Sequence, residues 1–387
     1  MIKTIKVMLC PNNKQKTKLF ACAGTARFIY NWTLWYQQIN YEFGYSFVGD
    51  VELRRILTVL KQTNQKFMWL NDYSNNIAKQ AVKDAVKAYL NFFKGITEFP
   101  RFKSRRRSKP GFYADPCKIQ FTGTHVKLEK LTASRKTNKQ KFNSIKLAEP
   151  NRISVNAKYS NPRITFDGLN WWISVGIEYE ESTEQPENQG IGIDIGIKEL
   201  AVCSDKKIYR NINKTAKVRK LKKRKRRLQR RISRKYSKNK KGECYCKTRN
   251  IVKSEKKLLK IICRLTNIRH SYLHSVTSEI VSRKPKFIVL EDLNVKGMMK
   301  NKHLAKVVQE QCFFEFYRQI QYKCNWNNIR FITADRYYSS SKLCSCCGYV
   351  KKDLKLSERI YICPECHNTI DRDFQASVNL MRYGLTA

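Results

Sequence analysis

Two constellations in this 387-residue chain combine residue type and spacing in a way that could do chemistry. The first is a thiol set. Cys344-Ser-Cys-Cys-Gly348 and Cys363-Pro-Glu-Cys-His367 contain two Cys-x2-Cys pairs separated by fifteen residues. Each pair makes a tight knuckle whose thiolates can reach one ion. Four thiolates close a tetrahedral shell with no open position, as one structural Zn²⁺ requires. The expected ligands are Cys344, Cys347, Cys363 and Cys366; Cys346 sits inside the first knuckle, so which thiol of that pair is the spare stays open. Cys244 and Cys246, one residue apart with no partner pair, read as ordinary cysteines in a basic loop.

The second constellation is carboxylate. Asp194 lies in Gly192-Ile-Asp-Ile-Gly196, where an acid flanked by β-branched residues is costly inside a sheet unless it coordinates something or faces a cleft. Glu291 ends the apolar run Phe287-Ile-Val-Leu-Glu, and Asp373 follows the cysteine region in Asp371-Arg-Asp-Phe-Gln-Ala-Ser-Val-Asn379, which reads as a helix start. Acids from two strands and a helix start can converge at the end of a sheet. There they can hold two Mg²⁺ ions that activate water and stabilise the leaving oxygen of a phosphodiester. Singly, each acid could be merely exposed or helix-capping; together, in so basic a chain, they favour a nuclease.

These residues need elements to place them. Residues 15–98, after a first strand within 1–14, read as amphipathic helices, since Arg27–Tyr36 and Asn76–Phe93 repeat apolar positions at three and four. From Phe99 the chain turns basic and irregular, then alternates in short segments (Lys118-Ile-Gln-Phe-Thr, His125-Val-Lys-Leu, Arg152-Ile-Ser-Val, Trp171 to Glu178), so 99–185 reads as β-rich. The acidic Glu180–Gly190 is a linker. After it, Ile191–Cys203 is a run of β-branched and small residues, followed by a second strand near Lys207-Ile-Tyr. A helical run from Ile251 to Arg283, a buried strand at Lys286–Leu293, a helix from His303 to Trp326 and a strand from Arg330 complete an α/β pattern. This α/β region spans 186–340, and the cysteine region follows at 341–369.

The charge says what such a domain would touch. Lys and Arg number 78 against 31 Asp and Glu, a formal charge of +47 with pI near 10.0. With 42% hydrophobic residues this is no disordered tail, so the charge decorates folded domains and points to a phosphate backbone. Lys217–Lys241 alone holds 16 Lys/Arg and no acid. It reads as a helix whose basic face, including Lys220, Lys223, Arg227, Arg231 and Arg234, lies against a nucleic-acid duplex. A solvated charged face and a nuclear localisation signal are the other readings. Phe99–Lys109, with Arg101, Lys103, Arg105 and Arg106, reads as a phosphate-contacting loop. Trp32, Trp35, Tyr36, Phe92 and Phe93 read as core rather than base-stacking platforms. The start has no apolar stretch long enough for a signal peptide and no later run approaches a membrane span, so a soluble protein in a reducing compartment is expected, with no membrane partner.

Four motifs together resemble one family. Gly192-Ile-Asp-Ile-Gly-Ile-Lys198, Val289-Leu-Glu-Asp-Leu-Asn-Val-Lys-Gly-Met-Met-Lys-Asn301, Tyr338-Ser-Ser-Ser-Lys-Leu-Cys-Ser-Cys-Cys-Gly348 and Asp371–Asn379 resemble TnpB (OrfB), the RNA-guided nuclease of bacterial insertion sequences. Ala26-Arg-Phe-Ile-Tyr-Asn-Trp and Phe99-Pro-Arg-Phe-Lys-Ser are similar to its N-terminal half. The resemblance implies a helical recognition region and a β-rich, oligonucleotide-binding-like wedge that hold a guide RNA. It also implies a C-terminal RuvC domain of RNase H-like fold over 186–340 and 370–387 with a zinc ribbon inserted at 341–369, and places Asp194, Glu291 and Asp373 on the three RuvC acids. It implies further that the guide derives from the element's own end, that a short motif is read on double-stranded target DNA, and that a separately encoded transposase acts alongside. The setting would be the bacterial cytoplasm and nucleoid, or the nucleus for a eukaryotic Fanzor-type relative. Gln375 stands where the family usually has Asn, Ser377 for Ala, Ser339 for Pro and His367 for Gly; none removes an acid or a thiol. A guide-dependent regulator that does not cut, or a transposase that joins strands itself, are the competing readings.

Overall fold

Alternation of side chains in two long strands organises the first half of the chain. In the computed structural model, which describes residues 2–131, 142–179, 185–355 and 357–387, every second residue of Trp171–Val175 and of Val7–Leu9 is buried. The acidic stretch 180–184, read above as part of a linker, lies outside the described residues. The chain divides into two units, Met1–Glu180 and Glu181–Ala387.

The first unit runs β1 (Ile2–Cys10), α1 (Asn13–Glu42), α2 (Asp50–Thr63), α3 (Asn75–Phe93), β2 (Gly111–Tyr113), β3 (Gln120–Phe121), β4 (His125–Lys127), β5 (Ser144–Leu147), β6 (Tyr159–Phe166) and β7 (Trp171–Glu178). The strands make one antiparallel sheet in the order β2-β6-β7-β1-β5-β4-β3. Its inner face (Val7, Leu9, Ile164, Trp171, Ile173) closes on Leu19 and Cys22 of α1 and Ile77 of α3. Asn12 and Gln15 cap α1 reciprocally, and the Gln15 amide also donates to the carbonyls of Phe142 and Ser144, tying the helix start to the sheet. Arg152–Val155, expected as a strand, is a turn: Ile153 is buried there, but Asn151 takes φ +58, which breaks extended pairing.

The second unit runs β8 (Ile191–Ile195), β9 (Glu199–Cys203), β10 (Ile208–Arg210), α4 (Ala216–Lys238), α5 (Arg249–Ser282), β11 (Phe287–Glu291), α6 (Ala305–Gln311), α7 (Phe313–Trp326), β12 (Arg330–Ala334), β13 (Ile360–Ile362), β14 (Thr369–Asp371) and α8 (Arg372–Thr386). Its main sheet has the order β10-β9-β8-β11-β12, with β8, β11 and β12 parallel. The run Ile191–Cys203 is therefore two antiparallel strands, which reverse at Gly196, rather than one. The expected helix from His303 to Trp326 likewise breaks into α6 and α7 at Cys312, which adopts the left-handed conformation (φ +58).

Period-two alternation gives the sheet two different faces. Ile191, Ile193, Ile195, Ile288 and Leu290 pack against Leu273 and Ile280 of α5 and Phe316 and Ile320 of α7. Gly192, Phe287 and Val289 face the other way, toward α8. Asp194 and Glu291 share that second face, because each lies two residues beyond one of its members. Among the described residues no helix is long and apolar enough to cross a membrane.

Candidate active site and metal centre

Gly192 decides how closely α8 approaches. A Cβ there would lie 2.1 Å from the Ser377 carbonyl oxygen and 2.3 Å from the Met381 nitrogen, so only glycine lets the helix backbone rest on β8. At the other end of α8, Gly384 seats against the side chains of Phe287 and Val289. The helix thus runs antiparallel to β8 and β11, and its N-terminus lies at the strands' C-terminal ends. In parallel α/β sheets that is where ligands gather.

The three acids meet at this end. β8 and β11 pair in parallel through Leu290 and Ile193, so Asp194 and Glu291 are the next residues in register. Asp373 stands in the first turn of α8. Asp371 has a different job: its carboxylate accepts the backbone N–H of Asp373 and of Phe374, both at 3.0 Å, and caps the helix. Burial first, then the charges of Asp373 and Glu291, push the Asp194 carboxyl up to about 8, and burial raises Glu291 too. Crowded carboxylates in a half-dry site form a donor set that a hard divalent cation would neutralise.

Two cations not singled out as site residues in the sequence flank the third acid. Arg372 reaches the Asp373 carboxylate at 3.1 Å and Arg359 approaches it at 3.8 Å. Arg372 was visible as a neighbour in the sequence; Arg359 is brought in only by the pairing of β13 with β14, where Ile360 faces Asp371. Among the described residues the three carboxylates do not close to the 4.8 Å spacing that the thiol set achieves.

That thiol set is Cys344, Cys347, Cys363 and Cys366, whose sulfur atoms all lie within 4.8 Å of one another. The Sγ–Sγ distances are 3.6 Å for Cys344–Cys366 and 3.5 Å for Cys347–Cys363, close to the ~3.8 Å edge of a tetrahedron with metal–sulfur bonds of about 2.3 Å. Cys346 is exposed and outside the set, so it is the spare thiol. Burial works to raise the Cys344 thiol, but the N–H groups of Cys347 and Cys346 outweigh it and hold the group down to about 6, favouring the thiolate a metal needs. Tyr361, fully buried beneath the cluster, bonds the carbonyls of Lys342 and Tyr349.

The thiol module is continuous with the acid site. β14 leaves the knuckle and becomes α8 without a loop, and the Arg372 N–H donates to the Arg359 carbonyl at 2.8 Å. Asn379 of α8 donates to the carbonyls of Ser340 and Leu343, just before the first knuckle. Gln375, rotated about 200° from Asp373 around the helix, lies on this far side. It is fully buried, and neither of its amide atoms has a hydrogen-bond partner among the described residues. Ser377 donates to the Phe374 carbonyl at 2.7 Å.

The basic residues singled out in the sequence fall into two groups. Val218, Leu221 and Leu228 pack α4 onto Ile261 and Leu265 of α5, leaving Lys220, Lys223, Arg227, Arg231 and Arg234 exposed at spacings of three and four, one outward stripe. Lys222 turns inward to Glu310 at 2.5 Å. In the first unit, Arg101, Arg105 and Arg106 are exposed, and Arg101 pairs with Glu98. Lys103 differs. The residue is exposed as a whole, but its ammonium lies 3.5 Å from the centroid of the Tyr30 ring, and burial lowers its pKa. Of the aromatics expected in the core, Trp32 is buried, but Trp35 is 50% and Phe93 59% exposed.

Three family models match the chain: "Helix-turn-helix domain" of the OrfB type over 1–44, "Probable transposase" of the OrfB type over 174–302, and "Cas12f1-like, TNB domain" over 313–380. The first stretch is, over its described residues, β1 followed by the single helix α1. The chain is 27% identical to a protein of Escherichia coli K12 described as "Putative RNA-guided DNA endonuclease InsQ", over 99% of this chain and 92% of that one. It is also 27% identical to a "Putative RNA-guided DNA endonuclease" of Streptomyces pristinaespiralis, over 100% and 90%. Its fold matches the protein in a cryo-EM structure of a Cas12f1–sgRNA–target DNA complex, with TM-score 0.57, 11% identity and 98% of each chain covered.

Proposed function

We propose that the chain is a member of the OrfB/TnpB family and an RNA-guided DNA endonuclease, which binds a guide RNA from its own element and hydrolyses target DNA with Asp194, Glu291 and Asp373 as its catalytic acids. The observation that carries this reading is Asp194, driven up to about 8 by burial and by two neighbouring carboxylates. Burial with two like charges beside it is an arrangement that a bound cation would relieve. Two Mg²⁺ ions held by these acids would supply the charge that activates water and stabilises the leaving oxygen.

The chain's own residues do the positioning. Paired strands hold Asp194 and Glu291 side by side, Gly192 lets α8 bring Asp373 to them, and Asp371 fixes the first turn. Arg372 and Arg359 balance Asp373 until a cation competes for it. Zn²⁺ in the four thiols would brace β14 and hence the start of α8, as a structural ion whose shell is closed.

The stripe Lys220, Lys223, Arg227, Arg231 and Arg234 is read as lying along the backbone of the guide–target duplex, sensing its geometry, while guide pairing supplies sequence. Arg101, Arg105 and Arg106 are read as phosphate contacts in the first unit, whose helices and sheet would serve as recognition and wedge regions around the guide. The protein would read a short motif on double-stranded DNA in the bacterial nucleoid, beside a separately encoded transposase. The test is to co-express the protein with its flanking element DNA, sequence the RNA that co-purifies, and add Mg²⁺ and a matching plasmid. The reading expects a discrete RNA and guide-matched cleavage that EDTA and Asp194→Ala both stop; tight target binding without cleavage would replace it with a guided regulator.

A further inference from the structure

The segment that follows α3 is not a loose basic loop. Phe99 packs edge-on against Tyr89 (5.6 Å) and Phe92 (5.3 Å) of α3. Four residues on, both backbone groups of Lys103 are held by one side chain of α1: the Asn31 amide donates to the Lys103 carbonyl at 2.9 Å, and the Lys103 N–H donates to Asn31 Oδ1 at 2.8 Å. The Lys103 ammonium over Tyr30 adds a third anchor. Residues 99–103 are thus an ordered strap fixed at both ends across the helices.

What the strap displays is apolar. Phe102, between the two anchors, is 50% exposed, and Phe93 at the end of α3 is 59% exposed although it touches Phe47 and Phe92. Each exposed ring sits at one of the strap's anchors: Phe93 stacks on Tyr89, one of the two rings that hold Phe99, and Phe102 is next in the chain to the anchored Lys103, so the strap carries apolar surface that asks for an occupant. The charges around them choose it. Lys94, Arg101, Arg105, Arg106, Arg107 and Lys109 lie exposed within and on either side of the strap in sequence, and the one acid in 94–109, Glu98, is already paired with Arg101. A protein partner would have to be strongly acidic there, whereas a nucleic-acid strand with splayed bases offers π-faces to the rings and phosphates to the cations at once. A duplex hides its bases' faces and cannot use the rings.

We propose that Phe93 and Phe102, with Arg105 and Arg106 beside them, form a stacking site for unpaired nucleotides of the RNA that this protein binds. This rests on the RNA-binding part of the function above but not on cleavage.

The test uses the purified full-length protein and a short fluorescein-labelled oligouridylate, compared with a duplex of equal length by anisotropy. Phe102→Ala combined with Phe93→Ala is expected to weaken oligouridylate binding roughly ten- to a hundred-fold, with an unchanged salt slope, and to leave duplex binding within about two-fold. Arg105→Ala with Arg106→Ala should instead flatten the salt slope for both. Phe102→Trp should bind like the wild type, and the fluorescence its indole adds should be quenched on binding. Phe99 is left intact because it anchors the strap; if the double variant melts early, Phe102→Ala and Phe102→Trp alone decide. Equal losses on duplex and single strand, no loss, or an indole that stays unquenched in the Phe102→Trp variant would overturn the site. So would a concentration-dependent dimer in light scattering that Phe102→Ala abolishes, since the face would then belong to a second copy. Failure to cleave target with stacking intact would remove the nuclease reading and leave this one standing.

Discussion

Asp194 is where the electrostatic cost of the site collects, and that makes it measurable without any substrate. Its carboxyl titrates near 3.8 in an unfolded chain and near 8 in the fold, so the folded state binds its proton more tightly. The associated stability is fully present below about pH 4 and is lost as pH rises through about 8. Chelator-treated protein should therefore melt at progressively lower temperature from pH 6 to pH 8.5, Asp194→Asn should flatten that slope, and Mg²⁺ should restore the wild type; a slope identical in the Asn variant would mean that Asp194 is not the strained group. Gln375 poses the opposite problem, since both its amide atoms are buried and unpaired. Gln375→Met removes two unmet hydrogen-bonding groups at similar volume and should raise stability by about 1–3 kcal/mol; if thermal melting shows a loss instead, an internal water serves the amide. The clustering of the four cysteines was legible in the sequence because their local spacing announces it, and the three proposed acids were singled out there by side-chain chemistry. Arg359 beside Asp373 was not, since the two residues are fourteen positions apart and meet only through the register of a hairpin.

At the scale of elements, the site depends on contacts that leave little room. Gly192→Ala sets a methyl against the Ser377 carbonyl and should lift α8 from β8. A loss of about 1–3 kcal/mol is expected for such overpacking, or roughly 2–4 °C in melting temperature per kcal/mol for a unit of this size; cleavage should fall further than stability does, because Asp373 moves with the helix. Cys363→Ser should act through the same helix from its other side. Loss of a structural metal removes on the order of 10 kcal/mol of folding free energy in small domains, so EDTA should destabilise the wild type and leave this variant, already lowered, unchanged in calorimetry. Long periodic elements such as α3, α4 and α5 were readable from apolar spacing. The divisions at Gly196 and Cys312 were not: a run of β-branched residues does not say where it folds back, and the left-handed turn at Cys312 is imposed by packing Val308 and Phe313 into one core.

For the molecule as a whole, +47 is a self-repulsion that folding must overcome in the absence of a polyanion. Melting temperature of the RNA-free protein should rise with ionic strength, and further with a short RNA at low salt, as linkage requires when a ligand binds only the folded state; an RNA-free melting temperature insensitive to salt would show the charges already balanced among themselves. Composition made the proposed class of partner readable, but not which cations are free to meet it, since Lys222 pairs with Glu310 and the Lys103 ammonium lies over Tyr30 while Lys220 stays exposed. The basic helix also has a definite reach. At 1.5 Å per residue, the 23 residues of α4 extend about 35 Å. If it lies along a duplex as proposed, a helix of that length is a ruler: it would sense whether the duplex is continuous over its own span and be blind to whatever lies beyond its tip.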